Sequence, residues 1–321
     1  MSYRGLSVAL VVPCFNEEVA IGRVIESFRL ALPGLNIFVF DNNSTDNTAE
    51  AARAAGAEVI SVKLRGKGNV VRRMFADVDA DIYVMVDGDA TYDAMSITAL
   101  VDSLIDQKLD MVVGCRQTEA QKAGFAYRRG HQFGNKLLTQ SVSRIFGGAF
   151  TDMLSGYRAF TKRYAKSFPA LSHGFETETE LTVHALELRM PYGEIMTPYS
   201  ARPDGSESKL STYKDGLKIL VTIGRLYISE RPFSFFGICA AVLALASILI
   251  AIPVATEYLS TGLVPRLPTA VLSASMMICA LLSFACGLIL DNVTRGRQEA
   301  KRLAYLNIPG LGRQARTTTS K

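Results

Sequence analysis

The chain has 321 residues, 49% of them hydrophobic, and a formal net charge of +5. That length suits one large domain or two ordinary ones, the oiliness is high for a soluble enzyme, and the small positive excess matters only through where it is placed. Five cysteines without a CxxC pair and three scattered histidines exclude a zinc spacing and a disulfide framework, so reduced, cytoplasm-facing chemistry is the expectation.

Up to about residue 231 apolar runs alternate with stretches of helical spacing. LSVALVVP (6–13) lacks the basic lead and cleavage site of a signal peptide and reads as a first strand. EEVAIGRVIESFRLAL is a helix, NIFVFD (36–41) a strand, and DNTAEAARAAG a helix with a Ser/Thr/Asp cluster ahead and a Gly behind. AEVISV (57–62) is the next strand, GNVVRRMFADVDA a helix, and DIYVMVD (81–87) a strand. MSITALVDSLIDQK (helix) and DMVVGCR (110–116, strand) complete the series. The alternation predicts an α/β fold with a mainly parallel sheet. Sites in such sheets lie at the C-terminal ends of the strands, where PCFNEE, DNNSTD, LRGKGN, DGDATYD and GCR fall.

The composition then changes. FSFFGICAAVLALASILIAIP (233–253) and LPTAVLSASMMICALLSFACGLIL (267–290) carry no charge and are long enough to cross a bilayer as a hairpin. Lys214, Lys218, Arg225 and Arg231 precede the first span, and Arg295, Arg297, Lys301 and Arg302 follow the second. The connecting loop has one Glu and one Arg, so the positive-inside rule puts both ends in the cytoplasm. KDGLKILVTIGRLYISER (214–231) has the amphipathic, basic character of a helix lying along a membrane. The expected organisation is a catalytic domain over 1–212, a juxtamembrane helix over 213–231, two transmembrane helices over 232–291 and a basic tail over 292–321. Within that tail GLGRQARTTTSK reads as disordered. The small residues of SASMMICA could pack within the hairpin or against a second copy in a homo-oligomer.

YVMVDGDATYD (83–93) ends an apolar run on two carboxylates, Asp87 and Asp89. A turn explains them, and so does a divalent cation, since hard oxygens at i and i+2 can converge on one ion. PCFNEE stands where a dinucleotide site would need GxGxxG, and RGKGN is no P-loop. VMVDGDAT fits the DxDxT of a phosphohydrolase, with Asp87 as nucleophile and Asp89 as acid/base, although that motif usually lies on the first strand of its domain. No nucleic-acid module is visible, so nucleic acid is not an expected partner. A scaffold with a decayed catalytic domain is a further alternative, and the intact acidic and basic residues speak against it.

VVPCFNEE, DNNSTDNT, GKGN, DGDATY and SGYRAF, in that order and followed by RPDGSESKL, resemble glycosyltransferase family 2. The resemblance is closest to the polyprenyl-phosphate glycosyltransferases, such as dolichol-phosphate mannose synthase, and covers residues 6 to about 230. It implies a nucleotide-sugar-binding GT-A fold with helices on both faces of the sheet, and inverting transfer of one sugar to polyprenyl phosphate. UDP-glucose or UDP-N-acetylglucosamine is the favoured donor, with GDP-mannose behind. The resemblance places Pro13, Asn16 and Glu17 near the nucleotide, Asp41 on the base or ribose, Asn43 in the turn that shapes that pocket, and Lys67 and Gly68 along the nucleotide. Asp87 and Asp89 would hold Mg2+ or Mn2+ against the donor diphosphate. Thr91 replaces a frequent Gln ligand, which leaves Asp93 or water to complete the shell. Arg116, Arg128 and Arg202, with Arg129 and Lys209 beside them, are the expected acceptor-phosphate ligands; His131 and Lys136 are weaker candidates. Asp152 is the base or orienter, and Glu176, Glu178 and Glu180 orient arginines or cap a helix. The expected location is a bacterial inner (plasma) membrane with the catalytic domain cytoplasmic.

Overall fold

The computed structural model describes residues 2–118, 142–143, 145–172, 174, 176–203, 221 and 223–311. The chain divides into two compact units, residues 1–221 with 301–321 and residues 222–300. Arg128, Arg129, His131, Lys136, Lys209 and most of the expected juxtamembrane helix lie outside the described residues, although 223–230 are helical.

The first unit is a seven-stranded sheet in the order β3-β2-β1-β4-β6-β5-β7. Its strands are β1 (Val8–Cys14), β2 (Asn36–Asp41), β3 (Glu58–Ser61), β4 (Ile82–Met85), β5 (Met111–Thr118), β6 (Arg158–Thr161) and β7 (Tyr192–Tyr199). The helices between them are α1 (Glu18–Ala31), α2 (Thr48–Ala54), α3 (Lys67–Asp77), α4 (Ser96–Asp106), α5 (Lys162–Ser167) and α6 (Thr177–Glu187). β1 pairs in parallel with β2 and with β4, as the strand–helix alternation predicts. The apolar runs of β1 and β4 are buried almost throughout because helices cover the sheet, and α1 turns Ile21, Val24, Ile25 and Phe28 inward at helical spacing. β6 departs from the parallel pattern: it runs antiparallel to β4 on one side and to β5 on the other. The strand order reverses at β1, so the crevice beyond the ends of β1 and β4 is the topological switch point where α/β sheets take their ligands.

The far end of the chain returns to this unit. Tyr305 donates its hydroxyl to Asp110 Oδ2 at 2.7 Å, and the Arg163 guanidinium lies 4.7 Å from the Tyr305 ring centroid. Asp110, fully buried at the start of β5, also takes Arg163 through both oxygens and Thr161 Oγ1 at 2.8 Å. A buried carboxylate with this many donors is compensated, as burial requires.

His184, on α6, is packed between Tyr164 and Phe168 with Nε2 3.1 Å from Ser167 Oγ. Burial and, secondarily, Lys301 pull its pKa down to about 3. The unfolded chain therefore binds a proton near pH 6.5 that the native state refuses, and stability conferred by the neutral ring is lost as pH falls below that value. Between pH 6.5 and 5 the loss approaches about 2 kcal/mol. Urea unfolding at the two pH values checks this: His184→Leu should flatten the drop, and an equal drop in both proteins would refute it.

The second unit holds α7 (Pro232–Thr261) and α8 (Leu267–Leu306), whose apolar windows have mean hydropathies of 2.8 and 2.1. Both are long and apolar enough to cross a membrane, and almost none of either window is buried within the protein. The residues that α8 does bury, Ser273, Ala280, Gly287 and Thr294, recur every seventh position. They form a small-residue seam in which Ser247 Oγ of α7 donates to the Ser273 carbonyl at 2.8 Å, Ser273 Oγ returns the bond to the Ser247 carbonyl at 3.0 Å, and Thr294 Oγ1 donates to the Ser229 carbonyl ahead of α7. Of SASMMICA, Ser273 and Ala280 are the residues buried in the hairpin. α8 does not stop where its apolar composition does: the helix continues through residues 292–306, where a basic tail was expected.

Candidate active site

The site is built where β1, β2, β4 and β5 end. Three of its turn residues, Asn16, Asn43 and Ala90, hold positive φ angles of 53°, 60° and 56°. Left-handed backbone is tolerated by Asn but costs Ala about 1–2 kcal/mol, and such strain gathers where a loop must present its groups in one way. Asn16 Oδ1 accepts Thr45 N at 2.8 Å, its own N–H bonds to Ser44 Oγ at 3.0 Å, and Glu17 N–H bonds to Thr48 Oγ1 at 2.8 Å. The turn after β1, which follows Pro13 in that strand, is thereby laced to the turn after β2.

Asp41 closes β2. Its Oδ2 accepts Ser44 N at 3.4 Å, whereas Oδ1 is buried without a partner among the described residues. The adjoining cavity of ≈ 240 Å³ is lined by Asp41, Ser44, Asp46, Glu50, Arg53 and Ser61. A buried, unsatisfied carboxylate oxygen at a cavity wall calls for a ligand N–H or O–H. Asn42, which sequence reading passed over inside DNNS, joins this turn to the next: its Nδ2 donates to the Val62 and Leu64 carbonyls and its Oδ1 accepts Gly66 N at 2.7 Å. That leads directly into Lys67, the first residue of α3. Gly68 behind it serves packing, because a Cβ there would stand 2.0 Å from the Ser172 carbonyl oxygen.

Lys67 Nζ lies 2.5 Å from both Asp87 Oδ1 and Glu178 Oε1. Burial alone would lower its pKa, but the two carboxylates more than offset this and raise it, so the ammonium is firmly charged. Asp89 is nearly enclosed, with Oδ1 accepting Thr91 Oγ1 at 2.6 Å and Thr91 N at 3.2 Å and Oδ2 facing Arg202 Nη2 at 2.6 Å. Burial and the neighbouring Asp87 push its carboxyl above the ordinary carboxylate range, against the opposing Thr91 and Arg202 contacts. Arg202 also reaches Glu17 Oε1 at 3.4 Å. Arg116, at the end of β5, grips Asp152 through Nε and Nη2, each at 2.7 Å, and its guanidinium lies 5.7 Å from the Tyr199 ring centroid.

Several expected roles change in this geometry. Thr91 is an orienter of Asp89 rather than a substitute ligand. Asp93 accepts Ser96 Oγ at 2.7 Å at the start of α4. Asp152, locked in a bidentate pair with Arg116, fits the orienter's role better than the base's. Of the three glutamates, Glu178 holds a lysine, and Glu180 receives the Leu171 and Ser172 N–H groups at 2.8 Å each. Glu176 accepts Gly174 N at 3.1 Å. Arg158 of SGYRAF is fully buried and bonded to the Ser155 and Met153 carbonyls and to Thr182 Oγ1, a structural hub beneath the site.

Among the described residues no three acidic, Cys or His side chains converge to enclose a metal ion. The local charge nevertheless fits one. Among the described residues four carboxylates (Glu17, Asp87, Asp89 and Glu178) gather around two cations, Lys67 and Arg202. A cation held by Asp87 and Asp89 and completed by ligand oxygens suits this donor set better than an all-protein cage.

The match to the model of glycosyl transferase family 2 spans residues 9–168. Glycosyltransferase AglJ of Haloferax volcanii is 31% identical over 302 residues, covering 94% of this chain and 98% of that protein. The chain belongs to glycosyltransferase family 2. A second relative in the same organism, a dolichyl-phosphate hexose transferase, is 29% identical over 230 residues, covering 70% of this chain and 95% of its own length. Among solved structures, glucosyl-3-phosphoglycerate synthase from Mycobacterium tuberculosis, in complex with Mn2+, UDP and glucosyl-3-phosphoglycerate, superposes with a TM-score of 0.57. It is 24% identical and covers 68% of this chain and 80% of its own, which shows a shared GT-A-like fold. Membership of family 2 removes the phosphohydrolase reading, in keeping with DxDxT lying after β4 rather than after β1.

The carboxylate pair has a close neighbour that tests its importance. A Cβ on Gly156 would stand 2.4 Å from Asp87 Oδ2 and 2.9 Å from its Cγ. Gly156→Ala must therefore turn the Asp87 carboxylate aside. Transfer should fall about 10²-fold, the scale of an ångström-sized misplacement, with far-UV circular dichroism unchanged. Full activity in that variant would show that the orientation of Asp87 is immaterial.

Proposed function

We propose that this family 2 enzyme inverts one sugar from a nucleotide-sugar onto polyprenyl phosphate, giving a polyprenyl-phosphate monosaccharide. The donor nucleoside occupies the Asp41 side of the crevice, where the partnerless Oδ1 accepts a base or ribose proton. Its diphosphate lies against Lys67 and a Mg2+ or Mn2+ held by Asp87 and Asp89. When bound, that ion neutralises charge on the departing diphosphate. Arg116 and Arg202, on the acceptor side with Tyr199 between their segments, orient the lipid phosphate, and Asp152 orients Arg116. A phosphate oxygen is already largely ionised at neutral pH and needs aiming more than deprotonation. Arg128, Arg129 and Lys209 serve the same acceptor phosphate in this reading. The two apolar helices hold the enzyme at the bilayer that carries its acceptor, with the catalytic unit cytoplasmic and the membrane a bacterial inner membrane.

The observation that carries the proposal is the pairing of an acidic crevice at the β1/β4 switch point with two apolar, membrane-length helices. The dolichyl-phosphate relative supports the lipid acceptor. The test is a donor screen: purified protein in detergent, polyprenyl phosphate, Mn2+ or Mg2+, and each radiolabelled UDP- and GDP-sugar in turn. Label should enter the lipid phase with one donor, UDP-glucose or UDP-N-acetylglucosamine first, and not with Asp89→Ala. Transfer only to water-soluble phosphorylated acceptors would overturn the lipid reading.

A further inference from the structure

Three glutamates stand at the start of α6, and two of them bond to the main chain: Glu180 takes the Leu171 and Ser172 N–H groups, and Glu176 takes that of Gly174. Glu178 is used differently. Its side chain is only 5% exposed, and among the described residues Lys67 Nζ, 2.5 Å from Oε1, is the one group that bonds to its carboxylate; Oε2 is buried without a partner. Burying a carboxylate is costly, and no local main-chain group offsets that cost here. The support behind Glu178 is firm. Its carbonyl accepts Thr182 Oγ1 at 3.0 Å, and Thr182 Oγ1 in turn accepts Arg158 Nη1 at 3.0 Å. The start of α3 also meets the start of α6 closely, because a Cβ on Gly68 would stand 2.0 Å from the Ser172 carbonyl oxygen and 2.8 Å from Thr177 Oγ1. Lys67 and Glu178 are therefore presented to each other by main chain with little room to shift.

We propose, building on the transferase reading, that Glu178 is a positioning residue for the donor diphosphate: with Asp87 it fixes two of the three Lys67 N–H bonds, so that the third is aimed at a phosphate oxygen. An ammonium carries three rotatable donors on a flexible stem and has no direction of its own. Two carboxylates at 2.5 Å remove that freedom, and among the described residues the remaining N–H has no partner. Charge alone would work the other way, because a second carboxylate beside Lys67 repels a diphosphate. A carboxylate is needed even so. Once Asp87 also serves a divalent ion, its charge is shared between two cations, and Glu178 keeps the buried ammonium compensated and in place. What Glu178 contributes is direction, through a side chain that itself meets no ligand. A pre-aimed N–H has little freedom left to lose when the diphosphate arrives, and needs no rearrangement as charge builds on the departing group.

Calorimetric binding of UDP and of GDP, each with Mn2+, to the full chain in detergent tests this without turnover. Glu178→Asp keeps the charge but withdraws the carboxylate by one methylene. It should weaken whichever nucleotide wild type binds by about tenfold, the scale of one hydrogen bond to a charged group. Lys67→Met should cost at least as much, and adding Glu178→Asp to it should change the affinity by no more than about twofold, because two residues acting through one contact do not add. Should Lys67→Met fail to fold with Glu178 stranded, Lys67→Met/Glu178→Gln and Lys67→Met/Glu178→Leu make the same comparison without a buried charge, and should bind the nucleotide alike. Unchanged affinity in Glu178→Asp would show that the direction of the ammonium is immaterial. A further loss on altering position 178 in the absence of Lys67 would make Glu178 a purely structural residue. Either result overturns the inference while leaving the transferase intact. Failure of wild type to bind either nucleotide with Mn2+ would bring down the donor reading, and this inference with it.

Discussion

Replacing Asp87 by Asn should lower sugar transfer by about 10³-fold while leaving the fold standing, since several kcal/mol of charge stabilisation at the departing diphosphate depends on it. Asp87 is the more accessible of the two aspartates, its side chain about a third exposed, and its ion-pair partner among the described residues, Lys67, has a second carboxylate in Glu178. Removing its charge therefore strands no buried cation. The amide keeps the volume and a carbonyl oxygen but is a much poorer partner for a hard divalent ion. Two readouts separate this from a general defect. Far-UV circular dichroism should be unchanged, and Mn2+ with nucleotide, expected to raise the unfolding temperature of wild type, should not raise that of the variant, because a ligand that no longer binds no longer shifts unfolding. Retained stabilisation by Mn2+ in the variant would mean that the ion is held elsewhere.

The second large effect is on stability. Arg158→Met should destabilise the catalytic unit by about 3–5 kcal/mol, the range for breaking a buried, fully partnered charge network. Arg158 has no exposed surface, yet its guanidinium serves the carbonyls of Ser155 and Met153 and the hydroxyl of Thr182. Methionine fills part of the space and satisfies none of those acceptors, and each orphaned buried group adds its own penalty. Because Met153 and Ser155 directly follow Asp152 in the same loop, the variant should also loosen the Arg116–Asp152 pair. Lysine should not rescue it, because one ammonium cannot reproduce the planar fork. Denaturant titration of the detergent-solubilised protein, followed by circular dichroism because the chain has no tryptophan, measures this directly. A loss below 1 kcal/mol would show that the loop reorganises around the missing arginine.

The parts legible in the sequence are those whose signal is local. β1, β2, β4 and β5 announced themselves as short apolar runs because they are buried on both faces, and the polar clusters behind them marked the strand ends. The carboxylate pair after β4 could be found in the same way. β6 could not. Its four residues, RAFT, include an arginine with no exposure, and no periodicity distinguishes so short a segment. Its identity as a strand comes from β4 and β5, one on either side. The roles of Asn42 and Glu178 were hidden for a related reason: each acts on residues about twenty or more positions away, and only the folded chain brings them together. In the sequence Thr91 reads as a weaker replacement for a Gln ligand, with Asp93 or water left to complete the shell. Their uses diverge because one turns back to Asp89 and the other forward to Ser96.

The antiparallel β6 also sets an assembly problem for the growing polypeptide. β4 and β5 leave the ribosome separated only by α4, the arrangement from which a right-handed β-α-β unit ordinarily closes with its strands side by side. In the finished sheet a third strand stands between them, and it is synthesised some forty residues after β5 ends. Until then both edges present unpaired main-chain groups to each other across a gap one strand wide. Premature β4–β5 closure is the natural kinetic trap of this topology, and escape from it requires breaking a ladder before β6 can enter. Thr161, whose hydroxyl bonds to Asp110 at the start of β5, therefore helps to specify the order of the sheet as well as its strength.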